Sequence, residues 1–234
     1  VITINRLIKK SLNDIFSYPA ERIIVEHDAV DGTHFAPMSR SDARQTLKLS
    51  QEIKLVLYIG RILAWKGLEI LPEAARLVGN HIQLGIVGGS KEEFVNNTKI
   101  SNIPDNLIFY GGKDFADIPL WIAAADAVLL TSTAGNETSY RWTSPMKVFE
   151  YMACGAPIIA ADTPSTQEII SATTAFFYEH DNAGSLAREI LTVLNNSGEA
   201  QRRGAAAFEA SRAYSWRARA EDIMQFMEEH AQLE

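Results

Sequence analysis

The sequence is poor in the residues that build disulfide-held or metal-held folds. Its single cysteine, Cys154, cannot form a disulfide within the chain. The five histidines are scattered without the spacing of metal ligands, which argues against a zinc site. We therefore expect no metal and no other cofactor.

Long apolar runs and basic clusters are also missing. No run approaches the roughly 18 consecutive apolar residues that a membrane-spanning helix needs, and together with the lone cysteine this favours a cytoplasmic protein. Basic residues occur together only in short pairs such as Lys9-Lys10 and Arg202-Arg203. A net charge of -7 without a basic patch argues against a nucleic-acid partner.

Two common nucleotide-binding signatures are absent as well. The order G-x-x-x-x-G-K-[ST] does not occur, and "GIVGGS" (85–90) lacks the third glycine of G-x-G-x-x-G. The sequence therefore gives little support to an ATPase or an NAD-binding protein.

What the sequence does contain is an alternation of short apolar segments and helical patterns. The apolar segments long enough for a strand are 22–28, 54–60, 82–89, 106–112, 126–132 and 157–162. The helical patterns are 67–80, 91–97, 117–125, 144–154 and 163–171, followed by 183–196, 199–213 and 216–230. Strands that are apolar throughout must be covered on both faces. The alternation therefore predicts an α/β fold with a Rossmann-like, doubly wound, mostly parallel sheet and C-terminal helices.

The first residues stand apart from this pattern. Residues 1–17 supply one strand and one helix before the alternation begins, and the chain has no initiating methionine. A lone strand-helix pair is what would remain of a preceding domain cut away near its last elements. The alternative is that these residues add an edge strand to the same sheet.

The loop after segment 54–60 carries two cations. Gly60 is followed by Arg61, and Lys66 comes just before a helix. Glycine lets the backbone approach a ligand, and Arg and Lys at the carboxyl end of a strand can neutralise a diphosphate without a metal. Taken alone, two such residues are more often solvated surface charges.

A second candidate anion site lies in "TSPMKVFEYMACGAP" (143–157). Ser144 is a good N-cap and Pro145 suits the first helical position. The amides that would then point out of the helix end, where the helix dipole attracts anions, belong to Met146, Lys147 and Val148. Glu150 does not fit this arrangement, because a capping box would place its acidic residue at Lys147.

Several of these segments occur in a recognisable order. They are "VEHDAVDGTHF", "IGRILAWKGLEILPEAARLV", "LGIVGGS", "NLIFYGG", "IPLWIAAADAVLLTS" and "SPMKVFEYMACGAPIIAADTPSTQEII". In this order they resemble the C-terminal domain of GT-B glycosyltransferases, most closely the retaining family called family 4 or glycosyl transferases group 1. The resemblance covers about residues 20 to 180, and "YSW" (214–216) is similar to that family too.

The resemblance implies roles for the marked residues. Glu150 stands where the family places the glutamate that accepts hydrogen bonds from the ribose hydroxyls of a nucleotide-sugar donor. Arg61 and Lys66 match positions that contact the donor diphosphate and stabilise the departing nucleotide. Gly112 and Lys113 lie in a segment that looks like the family's base-binding turn, although an ordinary strand-ending turn is an equal alternative.

One position departs from the commonest pattern of the family. Trp142 stands where the first of two motif glutamates is expected, and seven residues separate it from Glu150. A subset of the family also lacks that glutamate, so the departure does not by itself imply inactivity. The departure bears on how the sugar ring is contacted.

The resemblance implies a two-domain enzyme with catalysis in the cleft between the domains. We expect residues 1–17 to be the remnant of an N-terminal acceptor domain, residues 18–214 to bind the donor, and residues 215–234 to pack back toward the N-terminal domain. The expected reaction transfers a hexose from a UDP- or GDP-sugar to a saccharide or lipid-linked acceptor in polysaccharide biosynthesis. We expect the isolated chain to be inactive.

The expected location of the whole protein is the cytoplasm, with a peripheral position at the inner face of the plasma membrane as a variant of it. Two alternatives to the expected function stay open. One is a catalytically silent domain that binds nucleotide sugars or acts as a scaffold, and the other is a GT-B-like UDP-sugar epimerase.

Overall fold

The computed structural model describes residues 1–231. Its strands are β1 (Ile2–Thr3), β2 (Ile24–Val25), β3 (Lys54–Ile59), β4 (Ile82–Val87), β5 (Leu107–Gly111), β6 (Ala127–Leu130), β7 (Ile158–Asp162) and β8 (Phe176–Glu179). The α-helices are α1 (Arg6–Phe16), α2 (Arg40–Thr46), α3 (Leu71–Val78), α4 (Lys91–Thr98), α5 (Ile118–Ala124), α6 (Met146–Ala153), α7 (Pro164–Gln167), α8 (Ala183–Asn195), α9 (Ser197–Ser211) and α10 (Trp216–Ala231).

Six strands form one sheet in the order β5-β4-β3-β6-β7-β8, and every neighbouring pair is parallel. The chain builds outward from β3 to β5, then returns to place β6 on the other side of β3. The strand order therefore reverses between β3 and β6, where open α/β sheets bind their ligands. The predicted Rossmann-like, doubly wound sheet is confirmed.

The core lies on both faces of this sheet. Helices α3 and α8 cover one face and helices α5 and α6 the other. Strand β3 shows why its sequence is apolar throughout: Val56 and Tyr58 pack with the first layer, while Leu55, Leu57 and Ile59 pack with the second.

The first strands depart from the prediction. The segment 22–28 was expected among the strands of the main sheet, but only Ile24–Val25 is extended, and β2 pairs with β1 in a separate two-stranded parallel sheet. The alternative that residues 1–17 add an edge strand to the main sheet is therefore wrong. Two elements, β8 and α2, were not predicted at all.

The domain boundaries at residues 17 and 214 stay predictions. Helix α1 buries none of its residues, and α10 begins directly after the bridge between Val30 and Ser215. Residues 232–234 of the predicted C-terminal segment lie outside the described residues. Within residues 1–231, no helix combines the length and the apolar character needed to cross a bilayer.

Candidate functional site

The loop that follows β3 begins and ends on glycines with unusual backbone angles. Gly60 has φ of +143°, and its amide donates to the carbonyl oxygen of Val87 at the end of β4. Gly67 has φ of +68°, and a Cβ built on it would lie 2.7 Å from the carbonyl oxygen of Ser132. Such angles favour glycine. The loop carrying Arg61 and Lys66 is thereby held against the switch point of the sheet.

Helix α6 begins one residue later than predicted. Pro145, not Ser144, is the N-cap, because the ψ of Pro145 is 104° and therefore extended. The Ser144 hydroxyl caps nothing in the helix; its Oγ accepts from the Asp28 amide at 3.4 Å. The Val148 amide donates to the Pro145 carbonyl oxygen at 2.9 Å. The expectation that Val148 offers a free amide is therefore wrong, and the candidate donors reduce to Met146 and Lys147.

The side chain of Lys147 is the main feature that the sequence did not reveal. Its Nζ lies 3.9 Å from the centroid of the Tyr58 ring, above the end of β3. A Cβ built on Gly60 would lie 2.6 Å from the same nitrogen. Gly60 therefore leaves the space that the Lys147 ammonium occupies. Only the amide of Lys147 had been assigned a role from the sequence.

Arg61, Lys66 and Lys147 form a group of cations that influence one another. Burial, and to a lesser extent the charge of Arg61, lower the pKa of Lys66 to about 8. Burial also lowers the pKa of Lys147 to about 7, with Lys66 adding to the shift and Glu150 opposing it. None of the three forms an ion pair or donates a side-chain hydrogen bond within residues 1–231. Such a group attracts an anion.

Glu150 stands beside these cations on α6. Burial raises the pKa of its carboxyl group, while the charges of Lys147 and His34 act in the opposite direction. The side chain is half-buried and forms no ion pair among the described residues. The structure thus brings Arg61, Lys66, Lys147 and Glu150 to the same edge of the sheet.

Gly112 and Lys113 lie in the loop after β5, at the same carboxyl edge. Both are exposed, and no atom lies within 4 Å of a Cβ built on Gly112. The Lys113 ammonium lies 5.3 Å from the centroid of the Trp121 ring. No contact in the described chain joins either residue to the cations.

A second feature that the sequence did not reveal is a cavity behind the cations. Lys66 and Lys147 line it together with hydroxyl side chains from Thr131, Ser132, Ser139, Thr143, Ser165 and Thr166. Thr131 Oγ1 is buried and has no hydrogen-bond partner in the described part of the chain. The cavity has a volume of about 10 Å³, which is about the room of one water molecule, and a hydroxyl group can both donate a hydrogen bond to such a water and accept one from it.

The arrangement suits an anion that also carries hydroxyl groups. Cations and helix amides can neutralise negative charge, and a carboxylate beside them can accept from two adjacent hydroxyls. In residues 1–231, no group of three or more histidine, cysteine, aspartate or glutamate side chains is arranged to hold a metal ion.

Comparisons with known proteins identify the family of this chain. The model of the family described as Glycosyl transferases group 1 matches residues 39–210. The D-inositol 3-phosphate glycosyltransferase of Xylanimonas cellulosilytica is 24% identical over 215 residues, which cover 86% of this chain and 50% of that relative.

Two solved structures share the fold. Sucrose-phosphate synthase from Thermosynechococcus elongatus has a TM-score of 0.83 and 24% identity, over 100% of this chain and 59% of that chain. HepE from Anabaena, solved in complex with UDP-glucose, has a TM-score of 0.80 and 21% identity, over 98% of this chain and 63% of that chain. The chain thus spans about half to three fifths of the length of these proteins. Because the family model matches well over half of its residues, this chain belongs to the glycosyl transferases group 1 family.

Proposed function

We propose that this chain is the donor-binding part of a retaining glycosyltransferase that transfers a hexose from a UDP- or GDP-sugar. The observation that carries the proposal is the cation group formed by Arg61, Lys66 and Lys147. This group has no acidic ion-pair partner in residues 1–231, and it lies beside Glu150. A diphosphate attached to a ribose has the matching charge and the matching hydroxyls.

In the proposed complex the cations hold the diphosphate and Glu150 accepts from the ribose hydroxyls. When the bond between the sugar and the diphosphate breaks, negative charge grows on the leaving nucleotide. Fixed cations stabilise that charge without having to reorganise during the reaction. The desolvated Lys66 and Lys147 are suited to this task, because charges interact more strongly where water is excluded.

We propose the remainder of the enzyme on the strength of its family membership. A second domain would supply most of the acceptor site, and α10 would pack toward that domain. The acceptor would be a saccharide or a lipid-linked saccharide of polysaccharide biosynthesis. The whole protein would work in the cytoplasm or at the inner face of the plasma membrane. The 234-residue chain alone would bind nucleotide and turn over little or no donor.

Calorimetry of the 234-residue chain with UDP, GDP and ADP tests this proposal. We expect UDP or GDP to bind, and Lys66→Ala to weaken binding about tenfold or more, as loss of a charge-assisted contact does. Lys54→Ala is the matched control, because Lys54 is exposed at the opposite end of β3. The proposal would be contradicted if none of the three nucleotides bound. It would also be contradicted if Lys66→Ala and Lys54→Ala lost the same amount of nucleotide affinity.

A catalytically silent binding domain is the second candidate, and Trp142 is the residue that favours it. Trp142 ends a π-helical turn (Thr138–Trp142) just before α6, where the commonest family pattern has a glutamate. Nucleotide binding without sugar transfer by the full-length gene product would support this candidate.

A further inference from the structure

An aromatic pair stands at the carboxyl edge of the sheet beside the proposed donor site. The Phe115 ring is 63% exposed and stacks on the His34 imidazole, with centroids 4.8 Å apart and planes 21° from parallel. Buried Phe35 meets both rings edge-on, at 4.8 Å from His34 and 5.4 Å from Phe115. The exposed ring is therefore fixed by two neighbours.

The pair is also fixed by a hydrogen bond. His34 Nε2 lies 3.2 Å from the Phe115 carbonyl oxygen. A carbonyl only accepts, so Nε2 carries the hydrogen and donates. This bond joins the loop after β2 to the loop after β5 and orients the imidazole beneath the Phe115 ring.

The aromatic pair lies near both proposed contacts to the nucleoside, the candidate base-binding turn and Glu150. Phe115 follows Gly112 and Lys113, the candidate base-binding turn, by two residues. Phe115 follows β5 and Glu150 lies near the start of α6, the helix that follows β6, so both stand at the carboxyl edge of the same parallel sheet; the charge of His34 also acts to lower the pKa of Glu150. A nucleoside whose ribose contacts Glu150 would therefore have its base within the neighbourhood of the aromatic pair.

We propose that Phe115, held by His34 and Phe35, is the stacking platform for the nucleobase of the donor. This inference rests on the proposed function and adds to it a residue that binds the base through its flat face. Every nucleobase has such a face, so stacking strengthens binding without choosing between bases. The choice between uracil and guanine then falls to hydrogen bonds from the neighbouring turn.

The experiment separates the base from the phosphates. Calorimetry measures the affinity of the 234-residue chain for UDP, GDP and inorganic pyrophosphate in three forms of the protein. These are the wild type, Phe115→Ala and Phe16→Ala. Phe16 is the matched control, because it is 72% exposed on α1 and is not part of the aromatic group.

We expect Phe115→Ala to weaken UDP and GDP binding to similar extents, by about tenfold, the size that loss of one stacking partner gives. Pyrophosphate affinity should stay the same, and Phe16→Ala should change neither. Phe115→Trp should restore nucleotide affinity, because it restores a flat ring, and its fluorescence should change when UDP binds.

Each contrary outcome has a distinct meaning. Wild-type binding of UDP that Phe115→Ala leaves unchanged would overturn the platform and leave the donor site standing. An equal loss of pyrophosphate and UDP affinity would also overturn it, because the ring would then act on the phosphates or on the fold. If the wild type bound neither nucleotide, the proposed function and the platform would fall together.

Discussion

The Lys147 ammonium rests on the face of the Tyr58 ring, with 3.9 Å between Nζ and the ring centroid. Tyr58 belongs to β3 and Lys147 to α6, and the Tyr58 hydroxyl donates to the Arg61 carbonyl oxygen at 2.9 Å. One tyrosine thus holds both a cation of the helix and the loop that carries Arg61 and Lys66. A cation above an aromatic ring gains about 0.5–2 kcal/mol, which offsets part of its repulsion by the neighbouring lysine.

The lowered pKa values of the two lysines predict that nucleotide binding depends on pH. Lys66 and Lys147, with pKa values of about 8 and about 7, lose their charge as the pH rises through this range. A bound diphosphate favours the charged forms and raises both pKa values. UDP affinity should therefore fall as the pH rises from 7 to 9, and binding at pH 8 should take up protons.

Calorimetry of UDP binding at pH 8 in two buffers with different heats of ionisation measures this proton uptake. The diphosphate itself is fully ionised in this range, since the second pKa of a phosphate is about 6. An affinity that stays constant from pH 7 to pH 9 would contradict the prediction.

The buried charge of Lys147 should lower the stability of the protein when no nucleotide is bound. The folded-state pKa of Lys147 is about 7, below its usual value of 10.5, so the unfolded chain binds more protons between these limits. Where the unfolded state binds more protons, stability rises with pH. Lys147→Met should therefore raise the free energy of unfolding by about 1 kcal/mol at pH 6, which is a common size for a stabilising substitution. At pH 9 the increase in the free energy of unfolding should be smaller.

Thermal unfolding of Lys147→Met at both pH values measures this effect, with Lys54→Met as the control at the other end of β3. UDP binding by Lys147→Met should weaken while stability rises. A loss of stability at pH 6 would show that the packing of the Lys147 side chain outweighs the cost of burying its charge.

Most of the sheet could be predicted because its strands are apolar on both faces. Strand β8 escaped prediction because its four residues, "FFYE", follow a polar stretch and are too short to stand out. Helix α2 escaped because it has no apolar stripe. Its Arg44 is buried through bonds to the Ala124 carbonyl and the Asp126 carboxylate, at 2.8 and 2.9 Å. Partners so distant in sequence leave no local pattern.

The candidate site could be predicted only in part for a related reason. Arg61, Lys66 and Glu150 were identified through motif order, which records positions along the chain. The place of the Lys147 side chain depends instead on how α6 packs over β3, and on Gly60 leaving room for it. The helix start was misplaced by one residue because Pro145 suits the extended N-cap as well as the first turn.

Glu150→Gln should separate ribose recognition from phosphate binding. Glutamine keeps the size of the side chain but removes the charge that strengthens hydrogen bonds from the ribose hydroxyls. Hydrogen bonds to charged groups contribute about 1.5–3 kcal/mol, so UDP affinity should fall by about 10- to 100-fold. Pyrophosphate affinity should stay the same or rise, because a negative charge beside the cations is lost. Parallel titrations with UDP and pyrophosphate check this, and an unchanged UDP affinity would remove Glu150 from the donor site.

Asn5→Asp should loosen the segment that leads into α6. Asn5 is buried, and its Oδ1 caps α1 by accepting from the Ile8 amide at 2.8 Å. Its Nδ2 donates to the carbonyl oxygens of Arg141 and Thr143, at 3.1 and 3.5 Å. Aspartate keeps the cap but places a carboxylate oxygen against two carbonyl oxygens. Hydrogen exchange should therefore increase in residues 138–143, and UDP affinity should fall severalfold.

The amides of α1 serve as the internal control for Asn5→Asp, because their cap is retained. Equal increases in exchange across α1 and residues 138–143 would mean that the variant simply unfolds the N-terminal segment. Unchanged exchange in residues 138–143 would show that Asn5 does not hold the turn before α6.

Gly60→Ala should disturb the cation group directly. The alanine Cβ would lie 2.6 Å from Lys147 Nζ, and the φ of +143° at this position is one that L residues rarely adopt. The lysine must therefore leave the Tyr58 ring, and the backbone of the loop must shift. We expect the backbone strain to lower the free energy of unfolding by about 1–3 kcal/mol. We also expect the affinity for pyrophosphate and for UDP to fall about tenfold, because a charge-assisted contact is lost.

Gly112→Ala is the matched control, since the same substitution there meets no atom within 4 Å. It should change stability by less than about 0.5 kcal/mol, as surface substitutions usually do. Unfolding in urea and titration with pyrophosphate, applied to both variants, compare a glycine that makes room for a cation with one that does not. If Gly60→Ala bound pyrophosphate as tightly as Gly112→Ala, the position of Lys147 above β3 would have no part in anion binding.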